Sequence, residues 1–139
     1  MKTTAVFDRR RYGPQSISRM PDLLERFNKA WPVLEKATTK VTTLSREFVW
    51  NELASGRSRL WTNKESAGVT SFRDLPNGEK AVFIWLGAGN LAEIKEVLPK
   101  IERHGRARGC SRVMLQGRLG WMRAFPDYAL DCVTLMKDI

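Results

Sequence analysis

Apolar positions along this chain follow two periods in turn. Leu23, Leu24, Phe27, Trp31 and Leu34 recur at helical spacing behind Pro21, a residue suited to a first helical position. Pro32 falls inside that pattern and predicts a kink or a restart near Ala30. A second helix is predicted from Ser45, a capping residue, through Phe48, Val49, Glu52 and Leu53 to a stop at Gly56. The period then shortens. Residues 59–62 and 68–72 read as strands, and Pro76-Asn77-Gly78 is a hairpin turn, because Asn-Gly tolerates the positive φ such turns need. The unbroken apolar run at residues 81–86 predicts a central strand covered on both faces.

That strand runs directly into Gly87-Ala88-Gly89, and an amphipathic helix opens behind Asn90, a good cap. Leu91, Ile94, Val97 or Leu98, and Ile101 form its apolar stripe; Pro99 interrupts it and Gly109 ends it. Residues 112–116 are the next strand, so strand–helix–strand implies a right-handed parallel crossover. A helical turn over residues 121–125 and a last strand over residues 130–136 complete the order. At the other end, residues 1–7 alternate as a short edge strand, and Gly13, Pro14 and several serines mark a loop or arm. The chain divides into a basic arm, residues 1–20, and a single domain, residues 21–139.

Composition narrows the function classes. With 139 residues, 42% of them hydrophobic and 28% charged, the chain suits one folded domain with a real core. No apolar run is long enough to span a bilayer. Asp8 and Arg9, Arg10 and Arg11 interrupt the start before a secretory core could form, which argues against export. Cys110 and Cys132 flank or sit in predicted strands without metal-ligand spacing, and read as reduced core residues. The net charge of +9 is the anomaly. Arginines gather at 9–11, at 57 and 59, and at 103, 106, 108 and 112. They favour anionic partners (nucleic acid, acidic protein surfaces or a phosphorylated cofactor) or else form a solvated basic surface.

Glycines between a strand and a helix let backbone N–H groups face outward, where the helix start adds partial positive charge. Gly87, Ala88, Gly89 and Asn90 are therefore the candidate phosphate-binding residues. His104, the single histidine, lies among arginines at the polar end of the long helix and reads as a solvated residue. Trp31, Trp50, Trp61, Trp85 and Trp121 read as core, Trp121 plugging the space beneath a tight turn at Gly117 and Gly120.

The element order over residues 20–139 resembles the GNAT acetyltransferase superfamily, an α/β fold with a mixed twisted sheet and helices on both faces. In that family a Q/R-x-x-G-x-G/A loop opens the main helix and its amides hold the acyl-CoA pyrophosphate. Here Ile84-Trp85-Leu86-Gly87-Ala88-Gly89 supplies both small positions, with Ile84 in place of the leading Gln or Arg. The resemblance implies acetyl-CoA as cofactor if the chain is active, and Tyr128 as the acid that protonates the leaving thiolate. The central strand carries no carboxylate to act as base, and Glu79 stands only at its edge. Gly117-Arg118-Leu119-Gly120-Trp121-Met122-Arg123-Ala124-Phe125-Pro126-Asp127-Tyr128 looks like the G-R-x-G-W-x-R-x-x-P-x-Y signature of small GNAT-like proteins of tailed phages and prophages. That likeness implies a phage origin; with it, the missing Gln or Arg, the missing base and the basic surface favour a catalytically degenerate GNAT-fold protein serving as a structural or ejection-associated virion component. Its basic arm would contact other virion proteins, with nucleic acid a further candidate. The alternative is an acyl-CoA-dependent N-acetyltransferase of the host bacterial cytoplasm.

Overall fold

The computed structural model describes residues 20–38, 44–117 and 121–139, apart from the Met122 side chain. The expected strand at residues 1–7 and the arm up to residue 19 lie outside them, as do Arg118, Leu119 and Gly120.

Two helices come first, α1 (Met20–Glu35) and α2 (Arg46–Ala54), and three strands follow, β1 (Ser58–Asn63), β2 (Ser66–Asp74) and β3 (Lys80–Ala88). Then come α3 (Leu91–Ala107), β4 (Arg112–Leu115) and a single turn, α4 (Trp121–Ala124). The sheet order is β1-β2-β3-β4, the first two pairings antiparallel and the last parallel. Gly78, at φ +89°, makes the β2–β3 turn, and the Leu75 and Gly78 amides donate to the Glu79 and Leu75 carbonyls at 2.8 and 2.9 Å. The α/β architecture with a mixed sheet follows the sequence pattern.

Each sheet face carries its own core. Phe27, Ala30 and Leu34 of α1 and Val49 and Leu53 of α2 pack on Leu60, Val69 and Leu86. Leu98 and Ile101 of α3 pack with Phe125 on Val82 and Ile84 from the opposite side. The two layers meet different faces because β3 changes phase. Val69 pairs with Leu86 but Thr70 pairs with Ile84, so Trp85 is an extra residue, and the bulge turns Leu86 toward α1 and α2.

Four expectations change. Helix α1 is continuous through Pro32, since the proline sits in its last turn and its ring faces solvent, where one missing amide is tolerable. Leu91 is 44% exposed because the first turn of α3 projects past the core it covers farther on. His104 is half-buried rather than solvated. Residues 129–139 form no strand and are exposed, so Cys132 is a surface thiol while Cys110 is buried. A strand needs a neighbour for its N–H and C=O groups, and among the described residues this segment has none.

Candidate functional site

The glycine turn lies at the far end of β3, where Gly87 and Ala88 still pair with Gly68 and Ala67 of β2. Gly89 has φ +126°, a conformation that favours glycine. A Cβ there would fall 2.5 to 2.7 Å from the Oγ, Cα and Cβ atoms of Ser66. The glycine therefore serves a close packing of two chain segments.

That packing decides where the turn's amides point. The Asn90 amide donates to Ser66 Oγ at 2.9 Å, and the Ala92 and Glu93 amides donate to Asn90 Oδ1 at 2.9 and 3.3 Å. Asn90 is thus the cap that the sequence suggested, and its side chain takes two amides of the first turn. A carboxylate shares the place. Glu93 Oε1 accepts from Ser66 Oγ at 2.7 Å and from the Glu65 amide at 3.0 Å. Its negative charge already complements the start of α3, and would repel a second anion.

Beyond Ile84 the strand β3 runs on while β4 has ended at Leu115, leaving a notch between them. The Trp121 indole lies in it. Its ring atoms come within 3.7 Å of a Cβ position on Gly87 and within 2.8 Å of one on Gly117. Gly117 is required by that approach. The indole is half-buried and makes an edge contact with Phe125, ring centres 5.9 Å apart. Behind it an apolar cavity of about 40 Å³ is lined by Trp61, Gly68, Ile84, Leu98 and Leu115 among others, with no carboxylate in its wall. This is the plug expected of Trp121, though a half-buried one.

Tyr128 is not brought to the turn. Its hydroxyl donates to Glu102 Oε2 at 3.1 Å. Glu102 lies about 18 Å along α3 from Asn90 at the helical rise. Burial, then the neighbouring carboxylate, push the phenol well above its ordinary range, which holds its proton firmly. Gly87, Ala88, Gly89 and Asn90 stay together, and Tyr128 stands apart. Glu79, at the opposite end of β3, accepts from Ser111 at 2.7 Å and pairs with Arg112 at 3.1 Å. Those hydrogen bonds lower its carboxyl to about 2, so it ties β3 to β4 and is a weak base.

His104 is the residue the sequence misplaced. Its ring stacks on Phe72 at 5.6 Å and meets Trp61 edge-on at 5.3 Å. Arg108 Nη1 lies 2.9 Å from Nδ1. Desolvation, then the Arg108 and Arg59 charges, bring its pKa down to about 4. The signal was available, since His104 follows Ile101 by three and continues the apolar stripe. A small recess there, lined by Arg57, Arg59 and Arg108, gathers basic charge away from the glycine turn.

No family model and no curated protein matches the sequence. Solved structures do match the fold. An acetyltransferase of Trypanosoma brucei superposes with a TM-score of 0.55 at 12% identity, covering 86% of this chain and 94% of that one. Glucosamine-6-phosphate N-acetyltransferase of Arabidopsis thaliana gives 0.52 at 13% identity, covering 81% and 92%. A predicted acetyltransferase of Clostridium acetobutylicum, solved with acetyl-CoA, gives 0.54 at 9% identity, covering 88% and 90%. The chain has a GNAT-like α/β fold. No helix among the described residues is long and apolar enough to cross a membrane.

Proposed function

We propose that this chain is a GNAT-fold protein that acts by binding other proteins and does not transfer acetyl groups. One observation carries the reading: the Asn90, Ala92 and Glu93 amides at the start of α3 are taken by Ser66 and Asn90, with the Glu93 carboxylate beside them. The Trp121 plug, the Tyr128 hydroxyl engaged by Glu102 and the carboxylate-free cavity wall support it. The phage-type signature at residues 117–128 suggests a virion as the setting, with the basic arm of residues 1–20 as the contact to neighbouring virion proteins.

The second reading, an acyl-CoA-dependent N-acetyltransferase, draws on the fold neighbours and above all on the one solved with acetyl-CoA. It would need Asn90 to release the helix amides and Glu93 to leave. Calorimetry of the full chain with acetyl-CoA at millimolar concentration, together with a thiol-release assay over a panel of amines, separates the two. No heat and no free thiol are expected. Saturable binding that Gly89→Asp abolishes, or amine-dependent thiol release, would overturn the non-catalytic reading. Mass spectrometry of purified phage particles tests the setting.

A further inference from the structure

Positive charge gathers at the end of the molecule opposite the glycine turn, where α3 finishes and β3 begins. From Lys100 to Arg112 five cations accompany one carboxylate, Glu102. Glu102 accepts from the Tyr128 hydroxyl, and Arg112 is held by Glu79. Lys100, Arg103 and Arg106 are exposed on α3 and have no hydrogen-bond or ion-pair partner among the described residues. A helix C-terminus favours cations only within its last turn. Lys100 stands about two turns before Ala107, and Arg103 about one, so the helix dipole leaves both unexplained.

The sheet extends this charge. Lys80 of β3 donates to the Arg108 carbonyl at 3.4 Å and stands over the Phe72 ring, 4.9 Å from its centre. Arg59 of β1 stands over the Trp61 ring at 4.7 Å and lines one recess with Arg108. Cations laid on rings are set in place before a partner arrives, which lowers the ordering cost of contact. The patch runs about 12 Å along α3 from Lys100 to Arg108, at the helical rise. Across the sheet it spans about 10 Å from β1 to β3, two strand spacings.

Its composition selects the partner. The exposed large hydrophobic side chains on the described helices and strands are Leu24, Phe48 and Leu91, and none of them lies in the patch. A protein interface has a centre depleted in charge, and this surface is charged throughout. Single-stranded nucleic acid binds by stacking bases on open rings. Here Phe72 carries Lys80 and His104, and Trp61 carries Arg59. What suits the patch is a row of phosphates whose bases are already paired, and the arginine fork matches a phosphate. Each strand of a DNA duplex has a phosphate per about 3.4 Å of axis, so about 12 Å presents about three of them to Lys100, Arg103 and Arg106.

We propose that the C-terminal half of α3, through Lys100, Arg103 and Arg106, docks with the adjoining starts of β1 and β3 on the phosphate backbone of a nucleic-acid duplex. The contact reads charge and not sequence. It uses a surface apart from the glycine turn and holds whichever reading of that turn is correct.

Fluorescence anisotropy of a short labelled DNA duplex, titrated with the full chain at about 0.15 M salt, tests it. Saturable binding is expected with a Kd of about 1 to 100 μM, weakening as salt rises. Lys100→Gln, Arg103→Gln and Arg106→Gln combined should weaken it at least about tenfold. They should also make the slope of log K against log salt shallower by about 2.7, for three lost contacts at about 0.9 each. Lys29→Gln, Lys36→Gln and Lys64→Gln remove the same charge from exposed positions elsewhere and should weaken binding less than about threefold. Both triple variants should melt with the wild type. An RNA duplex in the same assay identifies which backbone is preferred, and tight binding of either supports the proposal. No binding of either duplex, an equal loss in the two triple variants, or an affinity that the first leaves intact would overturn it. So would a single strand bound at least about tenfold tighter than the duplex, which requires open rings. Polyglutamate competing as well per charge as the duplex would also overturn it, by identifying an acidic protein surface as the partner.

Discussion

Protonating His104 should cost this protein stability, and the size follows from the ring's surroundings. Phe72 stacks on one face, Trp61 presents its edge, and Arg59 and Arg108 are the charged groups that act on it. Arg108 can only donate, so its 2.9 Å contact with Nδ1 requires a lone pair there and a neutral imidazole. A proton on that nitrogen would remove the bond and set two cations together. The folded pKa of about 4 lies below the unfolded value of 6.5, so between these limits the unfolded chain binds more protons. Stability is then complete above pH 6.5 and falls as the pH drops toward 4.

For a single group with those two values the loss between about pH 7.5 and pH 5 is about 2 kcal/mol. The ring is only partly buried, and screening by solvent brings the effect down to about 1 kcal/mol. Urea unfolding at the two pH values measures it, with His104→Gln as the non-titrating control. The wild type should lose about 1 kcal/mol more than the variant does over that interval. Glu79, lowered to about 2 from 4.5, begins to contribute only toward the acid end of this window. Equal slopes in the two proteins, or an NMR titration of the ring centred near 6.5, would refute the placement of His104 against Phe72 and Trp61.

Three further outcomes follow from particular contacts. Gly89→Ala should cost about 3 kcal/mol in chemical unfolding, because a positive φ and a clash with the Ser66 backbone add. Trp121→Ala should cost about 2 kcal/mol, below the usual value for a fully buried ring, and should not create acetyl-CoA binding detectable by calorimetry. Glu79→Gln should flatten acid unfolding: the wild type keeps the carboxylate's contribution above pH 4.5 and loses it as the pH falls toward 2, and the variant has none to lose.

What the sequence revealed depended on how local the cause was. The Asn90 cap, the Asn-Gly hairpin and the apolar run of β3 act within a few residues, so pattern alone located them. Ser66 closes the glycine turn from 24 residues away through the β2–β3 register, in which Ala67 faces Ala88, and no periodicity announces that. The segment at residues 130–136 failed differently. Its composition is right for a strand, but strand formation depends on a partner, and among the described residues the segment has none.

The glycine turn shows why a Gly-x-Gly match between strand and helix discriminates so little. Two physical demands produce the same letters: amides that must approach a phosphate, and a backbone that must pass against another strand. At Gly89 the second demand suffices, since Ser66 occupies the space of a Cβ and takes the next amide. The two demands differ in what surrounds the helix start. A phosphate seat keeps its amides free and its neighbourhood free of negative charge. Here Asn90 bonds two amides of the first turn, and the Glu93 carboxylate is held in place by the same Ser66. Gly89 would therefore be needed even in a protein that never meets acyl-CoA, and its presence is no argument that this one does.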